Sequence, residues 1–335
     1  MKVKAVIPVA GVGTMLRPHT HTQPKPLIPV AGKPILGHII ERLHQAGIRD
    51  FVFVIGYMGE KIEEYVRNTY PWPDVNMEFV VQSPREGLGH AIWVAKNSLQ
   101  QAEEVLIVLG DTIFDVDLES MLRSSHSTVG VHSVDDPRDF GVVALDADGY
   151  IAHVVEKPKI PKSNIAMVGI YRIKEVKALV ESLDEMINGG ARGERGEYNL
   201  TDALMRMIKM GVQIRTHEVD NWFDCGKKET LLETNRILLE RIKSPATLDF
   251  PNTVIIQPVN IAPDCQIENA IIGPNVAIAS HSVIQNSIVR NSILGAYSQL
   301  DSIVLDGSVI GNDASLKGKS HHVNIGDNTE IDFSI

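Results

Sequence analysis

The sequence predicts an α/β domain built on a mostly parallel, Rossmann-like sheet, followed by a left-handed parallel β-helix. Three observations carry this expectation. Short β-branched runs alternate with longer amphipathic stretches up to about residue 240. Helical spacing then disappears. Beyond residue 252 aliphatic side chains recur at every sixth position. Strand–helix alternation implies βαβ units, whose right-handed crossovers line up the loops after the strands along one edge. An aliphatic period of six is that of the hexapeptide β-helix, each hexad forming one side of a triangular coil.

Taken in order, Val3 to Val9 is a continuous apolar run, as in a strand covered on both faces. Ile35, Leu36, Ile39, Ile40 and Leu43 recur at helical spacing, and Gly47 stops that helix. Phe51 to Ile55 is the next strand, and Ile62, Tyr65 and Val66 mark a second helix. Glu78 to Gln82, a helix around Ala91 to Leu99, and Val105 to Leu109 continue the series. These elements define a first domain, residues 1–240. A linker, 241–252, follows, with Pro245 and Pro251. The coil, 253–335, then has inward aliphatics at Ile261 and Ile267; Ile272, Ile278 and Ile284; Leu294 and Leu300; Val304, Ile310 and Leu316; Ile325 and Ile331. Gly and Asn between them suit corners with positive φ. The phase slips between blocks, with five residues from Ile267 to Ile272. His321-His322 reads as one more corner.

The 335 residues, 44% of them hydrophobic, suffice for two cores. A formal net charge of -10 and the lack of a basic run argue against nucleic acid as a partner, so any phosphate is held in a small local site. Cys225 and Cys265 have neither disulfide-framework nor zinc-knuckle spacing. The N-terminus enters a strand at once, with no signal-peptide region, and no apolar stretch nears the roughly 20 residues of a membrane span. A soluble cytoplasmic protein, not bound to a membrane, is expected.

After the first strand comes Gly11-Val12-Gly13-Thr14-Met15-Leu16-Arg17-Pro18, then Lys25-Pro26. A Gly-rich turn there exposes backbone N–H groups that can cradle phosphate oxygens. The spacing is neither that of a Walker loop nor that of the dinucleotide fingerprint. The motif resembles the signature of the sugar-1-phosphate nucleotidyltransferases, Gly-x-Gly-Thr-Arg-Leu-x-Pro with a lysine further on. Matching segments follow in the family's order: Gly87-Leu88-Gly89, Leu109-Gly110-Asp111, Phe140-Gly141-Val142-Val143, Glu156-Lys157-Pro158, Val168-Gly169-Ile170-Tyr171, Arg195-Gly196-Glu197 with Leu200-Thr201-Asp202, and Trp222-Phe223-Asp224-Cys225-Gly226. The resemblance covers nearly the whole chain. Within the family it is greatest to the long-form glucose-1-phosphate thymidylyltransferases, which also end in hexapeptide repeats.

The resemblance implies a reaction in which a sugar 1-phosphate attacks the α-phosphorus of a nucleoside triphosphate and pyrophosphate leaves. The attacking oxygen is already anionic, so positioning and charge neutralisation supply the catalysis and no general base is needed. By the same resemblance, Asp111 and Asp224 bind Mg²⁺. Ala10, Gly11, Gly13, Thr14, Gln82, Gly87 and Asp111 hold the nucleotide, and a Gln amide suits the edge of thymine or uracil. Gly141, Glu156, Lys157, Val168 and Gly169 hold the sugar phosphate, while Lys25, Lys157 and Arg17 stabilise developing charge. The chain departs from the signature at Met15, where the family has Arg. Met cannot carry charge, and Arg17 is its candidate substitute. A catalytically impaired regulatory or assembly subunit, and a uridylyltransferase acting on glucose or N-acetylglucosamine 1-phosphate, stand beside the thymidylyltransferase reading. His19 and His21 read as polar loop residues. Self-association is expected of the coil.

Overall fold

The computed structural model describes residues 3–242 and 249–318. Pro245, His321-His322, Ile325 and Ile331 lie outside the described residues. The chain divides into two units, Met1–Thr234 and Asn235–Ile335.

The first unit begins with β1 (Val3–Pro8), a small hairpin of β2 (Pro29–Val30) and β3 (Lys33–Pro34), α1 (Ile35–Gln45), β4 (Asp50–Ile55), α2 (Gly59–Thr69) and β5 (Asn76–Val81). Then come α3 (Leu88–Val94), α4 (Lys96–Leu99), β6 (Glu104–Val108), β7 (Thr112–Asp115), α5 (Leu118–Arg123) and β8 (Ser127–Ser133). The unit continues through β9 (Gly141–Leu145), β10 (Ile151–Glu156), β11 (Ile165–Ile173), α6 (Val176–Asn188) and α7 (Leu200–Lys209). It closes with β12 (Ile214–Glu218), β13 (Asn221–Asp224) and the start of α8 (Lys228–Arg241).

A nine-stranded sheet runs β10-β9-β11-β6-β1-β4-β5, with β8 off this path beside β11 and β12 beside β8. The neighbours β6, β1, β4 and β5 are parallel, and the buried runs of β6, β1 and β4 form the centre of the domain. Antiparallel pairing enters at β11, which joins β6, β8 and β9. The loops after β1, β4, β5 and β6 therefore share one edge, as their alternation with helices predicts. α1 buries Ile35, Leu36, Ile39, Ile40 and Leu43, and Gly47 ends that segment at φ 90°. The helix expected around Ala91 to Leu99 is two, because the Ala95 N–H takes a tighter bond to Ile92 O and breaks the run.

The second unit is three parallel four-stranded sheets, the left-handed β-helix anticipated by the hexads. Val254, Ile271, Ile288 and Val304 are successive register partners, so one coil takes 17 or 16 residues, not three full hexads. The missing residues are the phase slips visible in the sequence. They correct one assignment: Val304 is 65% exposed, and Leu305, five positions after Leu300, packs against the interior instead. Val289, which a strict sixfold count passes over, is fully buried. Corners fall at residues with positive φ, Asn252, Asn269, Asn275, Asn286 and Asn291 among them. Their amides stack: Asn252 donates to Asn269, Asn269 to Asn286, and Asn275 to Asn291 at 2.8 Å.

Candidate active site

The edge where the parallel strands end carries a cavity of about 1140 Å³. The Gly-rich loop enters it from β1. Gly13 has φ 67°, and a Cβ there would stand 2.8 Å from the Lys25 Cβ, so glycine lets the loop lie directly over the lysine stem. Thr20 Oγ1 donates to Gly13 O at 2.9 Å and pins that loop. Lys25 opens a short 3₁₀ turn between Pro24 and Pro26, which fixes where its amine points. Its side chain is 12% exposed, and Nζ donates to Asp111 Oδ2 at 2.7 Å.

Asp111 follows β6 through Gly110, where any side chain would strike Val9. Asp224 arrives from far along the sequence on β13, whose antiparallel ladder with β7 sets it opposite Thr112, the neighbour of Asp111. The Cys225 N–H then donates to Asp111 O at 3.3 Å, so the two acids end adjacent segments of one ladder. Their electrostatics differ. Burial pushes the Asp111 carboxyl up, but the Lys25 ammonium and its hydrogen bond outweigh this and hold it below the usual range. Asp224 is raised, by burial first and by the Asp111 charge, with Lys25 only partly offsetting.

Across the cavity, Lys157 follows β10 at φ 42°, its N–H donating to Phe140 O at 3.0 Å and its side chain lining the space. Glu156 pairs with Gly141 in the β9–β10 ladder, accepts from Thr201 Oγ1 at 3.2 Å, and has its carboxyl raised by burial. The buried Tyr171 phenol is pushed up chiefly by burial and further by the charges of Glu156 and Asp111. Val168 is buried, and Gly169, at φ 89°, sits in a bulge of β11 against Leu109.

Of the residues expected from sequence, Gly13, Thr14, Lys25, Asp111, Lys157 and Asp224 line this cavity together, and so does Met15, 65% exposed. Arg17 is exposed and does not line it. Ala10 is buried under Gly56, and Gly11 borders open space. Gln82 is buried just past β5, its amide bonded to Gly87 O and His90. Arg195, Lys227, Phe140 and Trp222 also line the cavity and were not singled out as site residues. The first two add positive charge. The two rings meet edge to face at 4.7 Å. Only the matched segments around Phe140, Arg195 and Trp222 hinted at them. His19 is half-buried and His21 exposed.

Among the described residues no group of three or more His, Cys, Asp or Glu side chains could hold a metal ion. The Asp111–Asp224 pair still fits a hard cation that takes most of its ligands from water and phosphate. Two carboxylates, one of them raised by its neighbour, are what such an ion would neutralise. Both cysteines are free and buried, and no helix among the described residues is long and apolar enough to cross a membrane.

Comparisons with known proteins bear on the family and the fold. The family model described as nucleotidyl transferase matches residues 4–241. The bifunctional protein GlmU of Methanocaldococcus jannaschii is 36% identical over 257 residues, 76% of this chain and 58% of that protein. The chain therefore spans about three fifths of that relative's length. A glucose-1-phosphate thymidylyltransferase of Streptomyces antibioticus is 27% identical over 362 residues, covering 99% of each chain. The solved structure of a UDP-glucose pyrophosphorylase complexed with UDP-glucose shares the fold, with a TM-score of 0.63 at 24% identity over 72% of this chain and 100% of that one. With the fold, the ordered motifs and the family match in agreement, the chain belongs to the nucleotidyl transferase family.

Proposed function

We propose that this protein transfers a nucleotidyl group from a pyrimidine nucleoside triphosphate to a sugar 1-phosphate, with dTTP and glucose 1-phosphate as the preferred pair. The observation that carries the reading is one cavity lined by Lys25, Asp111, Lys157 and Asp224 from four separate segments. An oxygen of the sugar phosphate attacks the α-phosphorus, the bond to the bridging oxygen breaks, and pyrophosphate departs with its electron pair. Two anions must meet, so the main task is neutralisation.

Asp111 and Asp224 would hold Mg²⁺, which supplies positive charge to the phosphates. Lys25 is positioned by its prolines and by Gly13 to meet charge growing on the α-phosphate. Lys157 and Arg195 bring positive charge to the other side of the cavity, suited to the phosphate of the sugar. Glu156, with one oxygen held by Thr201, offers the other to sugar hydroxyls. Backbone N–H groups of the Gly11–Thr14 loop face the triphosphate. Gln82 and Gly87 face the base.

A panel of dTTP, UTP and CTP with glucose or N-acetylglucosamine 1-phosphate, scored by Mg²⁺-dependent pyrophosphate release, tests this. Release with dTTP and glucose 1-phosphate supports it, and preferential use of UTP with N-acetylglucosamine 1-phosphate points to the uridylyl reading. Silence with every pair removes it. Met15, exposed at the cavity, favours a second reading, a catalytically impaired regulatory or assembly subunit. Met15→Arg adds a charge-assisted contact to the triphosphate and is expected to raise turnover about tenfold or more in an active enzyme. No turnover in either form would instead support the subunit. Self-association through the coil belongs to the same proposal, with sedimentation as its check.

A further inference from the structure

We infer that His90 takes up the second amide hydrogen of Gln82 and thereby narrows the choice of base, leaving Gln82 an acceptor only. The inference rests on the proposal that Gln82 faces the base. Gln82 lies just beyond β5 and is 5% exposed. Its Nε2 stands 3.0 Å from Gly87 O. A carbonyl can only accept, so the amide nitrogen, and not its oxygen, must face that group. The same Nε2 stands 3.2 Å from His90 Nδ1. An amide nitrogen has two hydrogens and no acceptor capacity, so Nδ1 must accept and the ring proton sits on Nε2. That tautomer turns its N–H toward Glu86, whose Oε2 is 3.9 Å away.

Both amide hydrogens are thus taken up inside the protein. Among the described residues Gln82 Oε1 has no hydrogen-bond partner. An acceptor at this point matches the N3–H of thymine or uracil. Cytosine presents a lone pair at N3, so two acceptors would face each other, and a buried site built for a donor rejects an analogue lacking it.

The imidazole is held for this role. It stacks on Trp93 with ring centroids 5.6 Å apart and lies 6.4 Å from the Tyr198 ring. Burial lowers its pKa from the ordinary histidine value, and of the charges near it Glu86 works in the opposite sense and Arg192 in the same sense. Arg192 also binds the other oxygen of Glu86, which limits the pull of that carboxylate on the ring. The neutral state that the geometry requires is therefore the one its surroundings favour near neutral pH.

The test compares wild type, His90→Leu and His90→Asn in pyrophosphate release with dTTP and with CTP. Leu keeps the volume and removes the acceptor; Asn returns an acceptor oxygen near the place of Nδ1. The dTTP-to-CTP ratio of kcat/KM is expected to fall about tenfold or more in His90→Leu, mainly through KM, and to stay near wild type in His90→Asn. On acidification below the pKa of His90, Nδ1 becomes a donor. Wild type should then lose preference, whereas His90→Leu shows no such dependence. An unchanged ratio in a folded, active His90→Leu overturns the inference and leaves the proposed activity standing. So does a wild type that transfers both nucleotides equally. No release from any triphosphate removes both.

Discussion

Asp224 is the residue at which stability and chemistry pull apart. Its carboxyl is raised by burial and by Asp111, so the folded state binds its proton more tightly than the unfolded chain does. The sign follows from linkage: ionising Asp224 lowers stability as pH rises through the unfolded value of 3.8 toward the folded one. Asp224→Asn should therefore melt at a higher temperature than wild type at pH 7 and at nearly the same temperature near pH 3. Scanning calorimetry at the two pH values reads the gap. The same substitution is expected to cut Mg²⁺-dependent turnover about a hundredfold or more, since the cation loses a carboxylate. Mg²⁺ should raise the melting temperature of wild type and move the Asn variant little. At this scale Lys25, Asp111, Lys157 and Asp224 were legible because each stands in a matched segment. Lys227 and the Gln82–His90 bond were not. Nothing in a linear pattern says that an amide eight residues from an imidazole spends its second hydrogen on it.

Among the elements, β11 does most to assemble the first unit, joining the parallel strands to the antiparallel ones. Arg172 anchors it, fully buried, with Nε donating to Glu104 Oε2 at 2.9 Å and Nη1 donating to Ser124 O at 2.8 Å. Removing the guanidinium leaves a buried carboxylate alone on β6. Arg172→Leu is expected to cost about 3–5 kcal/mol in denaturant titration, and adding Glu104→Gln to recover much of that loss. β1, α1, β4, α2 and β6 could be read from the sequence pattern, since each buries a run or a stripe, whereas the β2–β3 hairpin was not read and the helix around Ala91 to Leu99 is two. The antiparallel partners of β11 could not, because pairing direction depends on how the chain returns and not on local spacing. In the coil the hexads gave the kind of fold, while the slips hid the turn length. A five-residue side moves the inward position from Val304 to Leu305, and sixfold counting has no way to see it.

Among the described residues, one hydrophobic cluster takes in residues of β1, β4 and β6 and another lies inside the coil, with no residue in common. Separate cores unfold as separate cooperative units when little couples them. Ile284, fully buried in the coil, is a clean probe. Ile284→Ala is expected to cost about 2–5 kcal/mol in the transition of the second unit and to leave the transition of the first in place, read by calorimetry. With a net charge of -10, the positive charge that the proposed reaction calls for is local, at Lys25, Lys157, Arg195 and Lys227 in the cavity.

The β7–β13 ladder also orders events in time. Along the chain the glycine loop, Lys25 and Asp111 all come before residue 112, yet Thr112 has no ladder partner until residue 224 has been made. Any fragment ending short of Asn221 thus lacks β13 and with it Asp224. If the pair binds a cation as proposed, that binding has to wait until β13 has been made.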